Sequence, residues 1–122
     1  MARSDDKLYH YTSPDGKEGI LDDRLIRAST SNVKYGQGVY FTSLRPKNDT
    51  ETIKKGTFDG WSGATDNRFK WDVVVSRDDL KSAGYKLEHI TDPANPDADI
   101  YRVPGPQGVD LNKLKNINLN PR

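Results

Sequence analysis

The run FKWDVVVS, Phe69 to Ser76, constrains this chain more than any other stretch. Its apolar residues recur every second position, so Phe69, Trp71, Val73 and Val75 share one face of a strand. No other stretch carries so clear a period, and the remaining apolar runs are shorter. Leu8 to Thr12 (LYHYT) reads as a strand on β-propensity, with Leu8, His10 and Thr12 on one face and Tyr9 and Tyr11 on the other. Leu25–Ser29, Gly38–Ser43, Tyr85–Ile90 and Ile100–Val103 complete a set of about six short strands.

Helix signals sit between them. Ser13-Pro14-Asp15-Gly16 is turn chemistry, and Asp15 with Glu18 reads as a capping box opening a helix to about Arg24. Asn48 with Glu51 signals a second helix near 49–55. Ser76 with Asp79 caps a third, short one, which Gly84 ends. Phe58 to Arg68 and DPANPDAD, Asp92 to Asp99, read as loops. The first seven residues are polar, and the Asn-rich tail from Val109 shows no clear period, so 1–7 and about 112–122 are expected to fray. The sum is an α+β fold, a mostly antiparallel sheet with two or three short helices, in one domain spanning 1–122.

Composition narrows the functions open to such a domain. Hydrophobic residues are 33% of the 122, and mean hydropathy is −0.89. Both point to a thin core under long exposed loops. Nineteen Lys and Arg against 18 Asp and Glu leave a net charge of +1. That balance gives no electrostatic footprint for nucleic acid or an anionic membrane. With no cysteine, disulfides, thiolate nucleophiles and thiolate metal sites are excluded. His10 and His89 are the only histidines, so no His-rich metal site is expected. No apolar run reaches membrane length, and MARSDDK lacks the apolar core of a signal peptide.

The stretch YGQGVYFT, Tyr35 to Thr42, raises a separate question. Two glycines, Gly36 and Gly38, precede a Tyr-Phe pair. Alone, a Gly-x-Gly before a strand is a turn or a bulge. It is not a dinucleotide-binding fingerprint, because no third glycine follows and no helix opens after it. A lone His in a strand, or a Tyr-Phe pair, is ordinarily structural.

In order, however, LYHYT, a short helix holding Gly19-Ile20-Leu21, Ser29 and YGQGVYFT resemble ADP-ribosyltransferases of the diphtheria-toxin and PARP type. The nearest likeness is to the toxin domains with a His-Tyr-Asp signature, and it covers about Leu8 to Leu44. From Phe69 onward the likeness is one of strand order. The resemblance implies a small split-sheet fold and NAD as substrate, with an activity that cleaves the nicotinamide–ribose bond. It implies that His10 anchors ribose, with backbone contacts from Tyr11 and Thr12, and that Tyr40 stacks on nicotinamide. Tyr11 stands where PARP-like members carry glycine, so its side chain is expected to point away. Ser29, Gly38 and Thr42 are further candidates to line the site, the glycines letting backbone approach the ligand.

The acid of the signature is expected late, at the start of a strand: Asp99, with Asp97 and then Glu88 as alternatives. The chemistry suits these residue types. The departing nicotinamide leaves positive character on the ribose, as in glycoside cleavage, so the enzyme must orient the sugar and offset charge. The expected function is a mono-ADP-ribosyltransferase toxin or effector with a macromolecular acceptor, protein rather than nucleic acid. It would act in a target cell and be met by a neutralising partner. The loop 44–68 with Trp61 is the expected docking surface. An NAD glycohydrolase and a non-catalytic interaction domain are the competing readings. An RNA 2′-phosphotransferase is disfavoured by the balanced charge.

Overall fold

The computed structural model describes residues 7–28, 37–44, 69–90 and 99–121. Along them run β1 (Lys7–Thr12), α1 (Pro14–Asp23), β2 (Leu25–Ile26), β3 (Gly38–Phe41), β4 (Trp71–Ser76), α2 (Arg77–Ser82), β5 (Glu88–Ile90), β6 (Ile100–Pro104), β7 (Val109–Asp110) and β8 (Asn118–Pro121). A 3₁₀ turn, Leu111–Lys113, follows β7. The expected helix near 49–55 and the 58–68 loop lie outside the described residues.

The strands form two three-stranded antiparallel sheets, β1-β4-β8 and β3-β6-β5, and a short ladder of β2 with β7. This is the α+β, mostly antiparallel architecture expected from the pattern. The two larger sheets meet at one bridge. The Tyr9 N–H donates to the Thr42 carbonyl at 2.8 Å, and the Thr42 N–H donates to the Tyr9 carbonyl at 2.9 Å.

Alternation decides which side chains become core. In β1 and β4, Leu8, Val73 and Val75 are buried. In β3 and β6, Val39, Phe41 and Val103 are buried. Ile20 of α1 and Leu80 of α2 complete the same cluster. Among the described residues the main core is therefore a cluster fed by one face of each sheet, with a smaller one around Phe69.

Local chemistry sets the element ends, in places differently from the expectation. The cap of α1 is Ser13, not Asp15. Ser13 is extended, and its hydroxyl accepts the Gly16 N–H at 3.0 Å, while Pro14 fills the first helical position. Asp15 falls inside the first turn, where a carboxylate favours the helix dipole. Ser76 caps α2 as expected, accepting from the Asp79 N–H, and Gly84 follows at φ 92°.

Two strands are shorter than their apolar runs. Leu25–Ile26 replaces Leu25–Ser29, and Glu88–Ile90 replaces Tyr85–Ile90. Tyr85 serves elsewhere: its hydroxyl accepts the Asp110 N–H at 2.7 Å. Phe69 precedes β4 rather than joining its core face. It packs with Tyr11 and Leu44 in a separate cluster, because the alternation that aligned it with Val73 begins only at Trp71.

The tail is the largest difference. Rather than fraying from about 112, it returns as β8 and pairs with β4, Leu119 opposite Val73 and Asn120 opposite Asp72. The anchor is Asp79, in the first turn of α2 and 8% exposed. Its carboxylate accepts the backbone N–H groups of Lys115 at 2.7 Å and Asn116 at 2.9 Å. A tail without periodicity is held by charge-assisted bonds to its backbone, which no side-chain pattern reveals. Replacing Asp79 by Ala is therefore expected to cost about 2–4 kcal/mol, since two such bonds are lost at a buried position. Urea unfolding measures it; a loss below about 0.5 kcal/mol, the range of an ordinary surface change, would mean that the tail is held by other contacts.

Candidate functional site

Strand β3 splits its side chains cleanly. Val39 and Phe41 enter the core, which leaves Gly38 and Tyr40 on the opposite face. Register places Arg102 of β6 directly across from Tyr40, and Glu88 of β5 directly across from Arg102. Tyr40, Arg102 and Glu88 thus form one row over three strands. The Arg102 guanidinium donates to Glu88 Oε1 from Nε at 3.2 Å and from a terminal nitrogen at 2.5 Å. Its charge and hydrogen-bonding capacity also act on the Tyr40 phenol opposite.

The electrostatics follow from that row. Burial pushes the Tyr40 phenol above its ordinary value, against the opposing effect of Arg102. Tyr40 is accordingly a neutral ring at any physiological pH. The Arg102 hydrogen bond holds the Glu88 carboxyl below its ordinary value. Reciprocally, Glu88 raises the guanidinium of Arg102 further, so it stays charged.

Gly38 has a packing reason to lack a side chain. A Cβ there would stand 2.5 Å from the Val103 carbonyl oxygen and 2.7 and 2.9 Å from Cγ and Cδ of Arg102. All three distances are shorter than real Cβ contacts. The glycine that the sequence reading gave to ligand approach accommodates β6 and the stem of Arg102. Gly36, its partner in the motif, lies outside the described residues.

His10 reaches the row from the other sheet. It lies on the same side of β1 as Leu8, and its ring meets Phe41 edge-on at 5.9 Å. Its Nδ1 is 2.8 Å from the Tyr40 carbonyl oxygen. A carbonyl only accepts, so Nδ1 carries the proton, and Nε2 is the acceptor nitrogen of the neutral ring. Tyr11 points away, as alternation requires. Its hydroxyl donates to the Leu44 carbonyl at 2.7 Å, and its ring stacks with Tyr9. Thr12 closes β1 beside the start of α1.

Asp99 stands immediately before β6. Its Oδ2 accepts from the Thr42 hydroxyl at 3.2 Å, from the Ser43 N–H at 3.1 Å and from the Ser43 hydroxyl at 2.5 Å. Among the described residues Oδ1 makes no hydrogen bond. Thr42, 1% exposed, spends its own oxygen on the Leu44 N–H at 3.1 Å. So Asp99 is tied to the residues two and three beyond Tyr40. The structure brings His10, Tyr40 and Asp99 to the junction of the two sheets, with Glu88 on β5 beyond Arg102. Ser29, Asp97 and Trp61 lie outside the described residues.

Sequence reasoning missed Ser43 and Arg102. A signal for Arg102 was present: it is the one charged residue in the β6 sequence IYRVP. Among the described residues no cluster of His, Asp and Glu could hold a metal ion, and no helix is long and apolar enough to cross a membrane.

Residues 8–120 match the family described as HYD1 signature containing ADP-ribosyltransferase. No curated protein and no solved structure matches the chain.

The lowered carboxyl of Glu88 predicts a pH dependence of stability. Its folded pKa lies below the unfolded one, about 4.3, so its contribution is present above that value and fades as pH falls through the folded one. Wild type is expected to melt higher than Glu88→Gln near neutral pH, with the difference shrinking as pH falls below the unfolded value and through the lower folded one. A gap that persists in acid would show that the loss does not come from the ionised pair.

Proposed function

The chain belongs to the family of ADP-ribosyltransferase toxin domains that carry the HYD1 signature, and we propose on that footing that it cleaves NAD and transfers ADP-ribose to a macromolecule. The observation that carries this reading is the contact of His10 Nδ1 with the Tyr40 carbonyl. Two residues 30 apart in the chain, on different sheets, are fixed to each other where the resemblance implied a shared role.

In this reading the bond from the nicotinamide nitrogen to ribose C1′ breaks. Its electron pair leaves with nicotinamide, whose ring nitrogen loses its positive charge. Positive character develops at C1′, and the acceptor's nucleophile captures it and releases its proton. His10, fixed as the Nδ1–H tautomer, accepts a ribose hydroxyl hydrogen bond at Nε2 and orients the sugar. Tyr40 lays a neutral ring face against the nicotinamide, a favourable partner for a planar cation. Asp99, held through Oδ2, offers Oδ1 as the negative group that offsets charge at the ribose. Thr12 and the backbone of Tyr11 flank His10, and Ser29 is retained as a site candidate on the resemblance alone. The balanced charge of the chain favours a protein acceptor over a nucleic acid. Delivery into a target cell and a neutralising partner are proposed from the toxin-domain family.

Nicotinamide release from NAD by the purified chain, with and without cell lysate, tests the proposal. His10→Ala, Tyr40→Ala and Asp99→Asn are each expected to lower release about 10²-fold or more, because orientation and charge stabilisation each contribute on that scale. Asp99→Asn is the informative acid variant, since an amide oxygen can still accept the Ser43 N–H while the charge is gone. Label from NAD ending on a protein supports transfer, whereas free ADP-ribose alone would make water the acceptor. Undiminished release by folded His10→Ala would sink the assignment.

A further inference from the structure

We infer that Arg102 is a positioning residue for Tyr40, held in a slot that Gly38 leaves open and braced from behind by Glu88. The inference deepens the proposed function and rests on it, because the ring so positioned is the one given to nicotinamide.

Three independent features converge. The first is register: Arg102 lies between Tyr40 and Glu88 across β3, β6 and β5. The second is space. A Cβ at position 38 would sit within 3.0 Å of both Cγ and Cδ of Arg102. The stem of Arg102 therefore lies against β3 at a position where only a glycine leaves room for it. The third is valence. The guanidinium has donors and no acceptor, and a phenol oxygen accepts. One donor edge satisfies Glu88, and we assign a further donor to the Tyr40 hydroxyl, which register sets directly across from Arg102 and on which Arg102 also acts electrostatically. Arg102 is only 17% exposed and Glu88 32%, so the pair is partly shielded from water and the planar fork is held in one orientation.

The consequence is mechanical. A tyrosine ring in a strand still turns about its side-chain torsions, and a stacking platform is useful only when it is already in place. His10 fixes Tyr40 at its backbone end, through the carbonyl. Arg102 fixes it at the other end, through the hydroxyl. Glu88, one of the acids the sequence left open, acts on Arg102. The spacing Gly38-Val39-Tyr40 is then the signature of the slot and the clamped ring together. The hydroxyl of Tyr40 has work to do, so Tyr40→Phe is not silent.

A double-variant cycle tests this. Arg102→Ala and Tyr40→Phe are each expected to lower kcat/KM for nicotinamide release about tenfold. Both act on one bond, so Arg102→Ala with Tyr40→Phe is expected to be no worse than either alone. Arg102→Lys, which keeps a cationic donor without the planar fork, is expected to recover part of the loss and guards against a variant that merely unfolds. A readout independent of activity accompanies it. The ring-carbon signal of Tyr40 in tyrosine-labelled protein, assigned by its absence in Tyr40→Phe, is expected to shift in Arg102→Ala and less in Arg102→Lys. Multiplying losses in the double variant, or a Tyr40 signal that Arg102→Ala leaves in place, would overturn the assignment while NAD cleavage stands. A folded wild type that cleaves no NAD, with or without lysate, would overturn the functional reading and this inference with it, even if the Tyr40 signal moves.

Discussion

Two backbone hydrogen bonds between Tyr9 and Thr42 set the geometry on which the rest depends. They join the sheet β1-β4-β8 to the sheet β3-β6-β5 at one residue pair. His10, Tyr40 and Ser43 all lie within two residues of that bridge. His10 follows Tyr9, Tyr40 precedes Thr42 by two, and Ser43 carries the bond to Asp99. A backbone pair is a suitable hinge pin, because its strength does not depend on either side chain. It leaves Tyr9 free to pack and His10 free to face the opposite side of β1.

The bridge also explains why an acid stands at the start of β6. Thr42 is buried, and a buried hydroxyl must find partners or cost stability. It donates to Asp99 and accepts from Leu44. Asp99 therefore serves the fold through one oxygen. The same bonds fix the direction of the other. A carboxylate held in this way is pre-aimed for the role proposed for it, which lowers the entropy cost of orienting it toward a substrate. The structural role of Asp99 is compatible with the proposed chemical one because a carboxylate has two oxygens and the strand end uses one.

How far the sequence disclosed this depends on range. The strand Trp71–Ser76, the Ser76 cap and the opposed faces of His10 and Tyr11 were legible because each rests on a local period or a three-residue spacing, whereas Phe69 was drawn into that period wrongly. The cap of α1 was misplaced by two residues because Ser13 and Asp15 are both good caps, and the extended backbone of Ser13 decided between them. The tail was illegible for a deeper reason. Residues 115 and 116 are held by their backbone N–H groups on Asp79, 36 and 37 positions away. Backbone groups are the same in every residue, so no composition or period marks them. His10 and Tyr40 entered as site candidates through resemblance to a family, since nothing local distinguishes a site histidine from a packing one.

Arg102 falls between these cases. Its strand was read correctly, and its charge within an apolar run was visible. What sequence alone could not supply was register, the fact that β6 sets position 102 opposite 40 and 88 together. A shift of one residue would turn Arg102 toward Val39 and Phe41 and bury a charge in the core. The pairing of Val39 with Val103 is thus reinforced from both faces: apolar contact below, and the phenol–guanidinium–carboxylate row above. Gly38 belongs to the same argument. Any side chain there would press on the Val103 carbonyl and on the stem of Arg102 at once, so a larger residue would disturb both faces of the register. The glycine that first suggested an approach for a ligand is, physically, the condition for β3 and β6 to hold the ring that the ligand would meet.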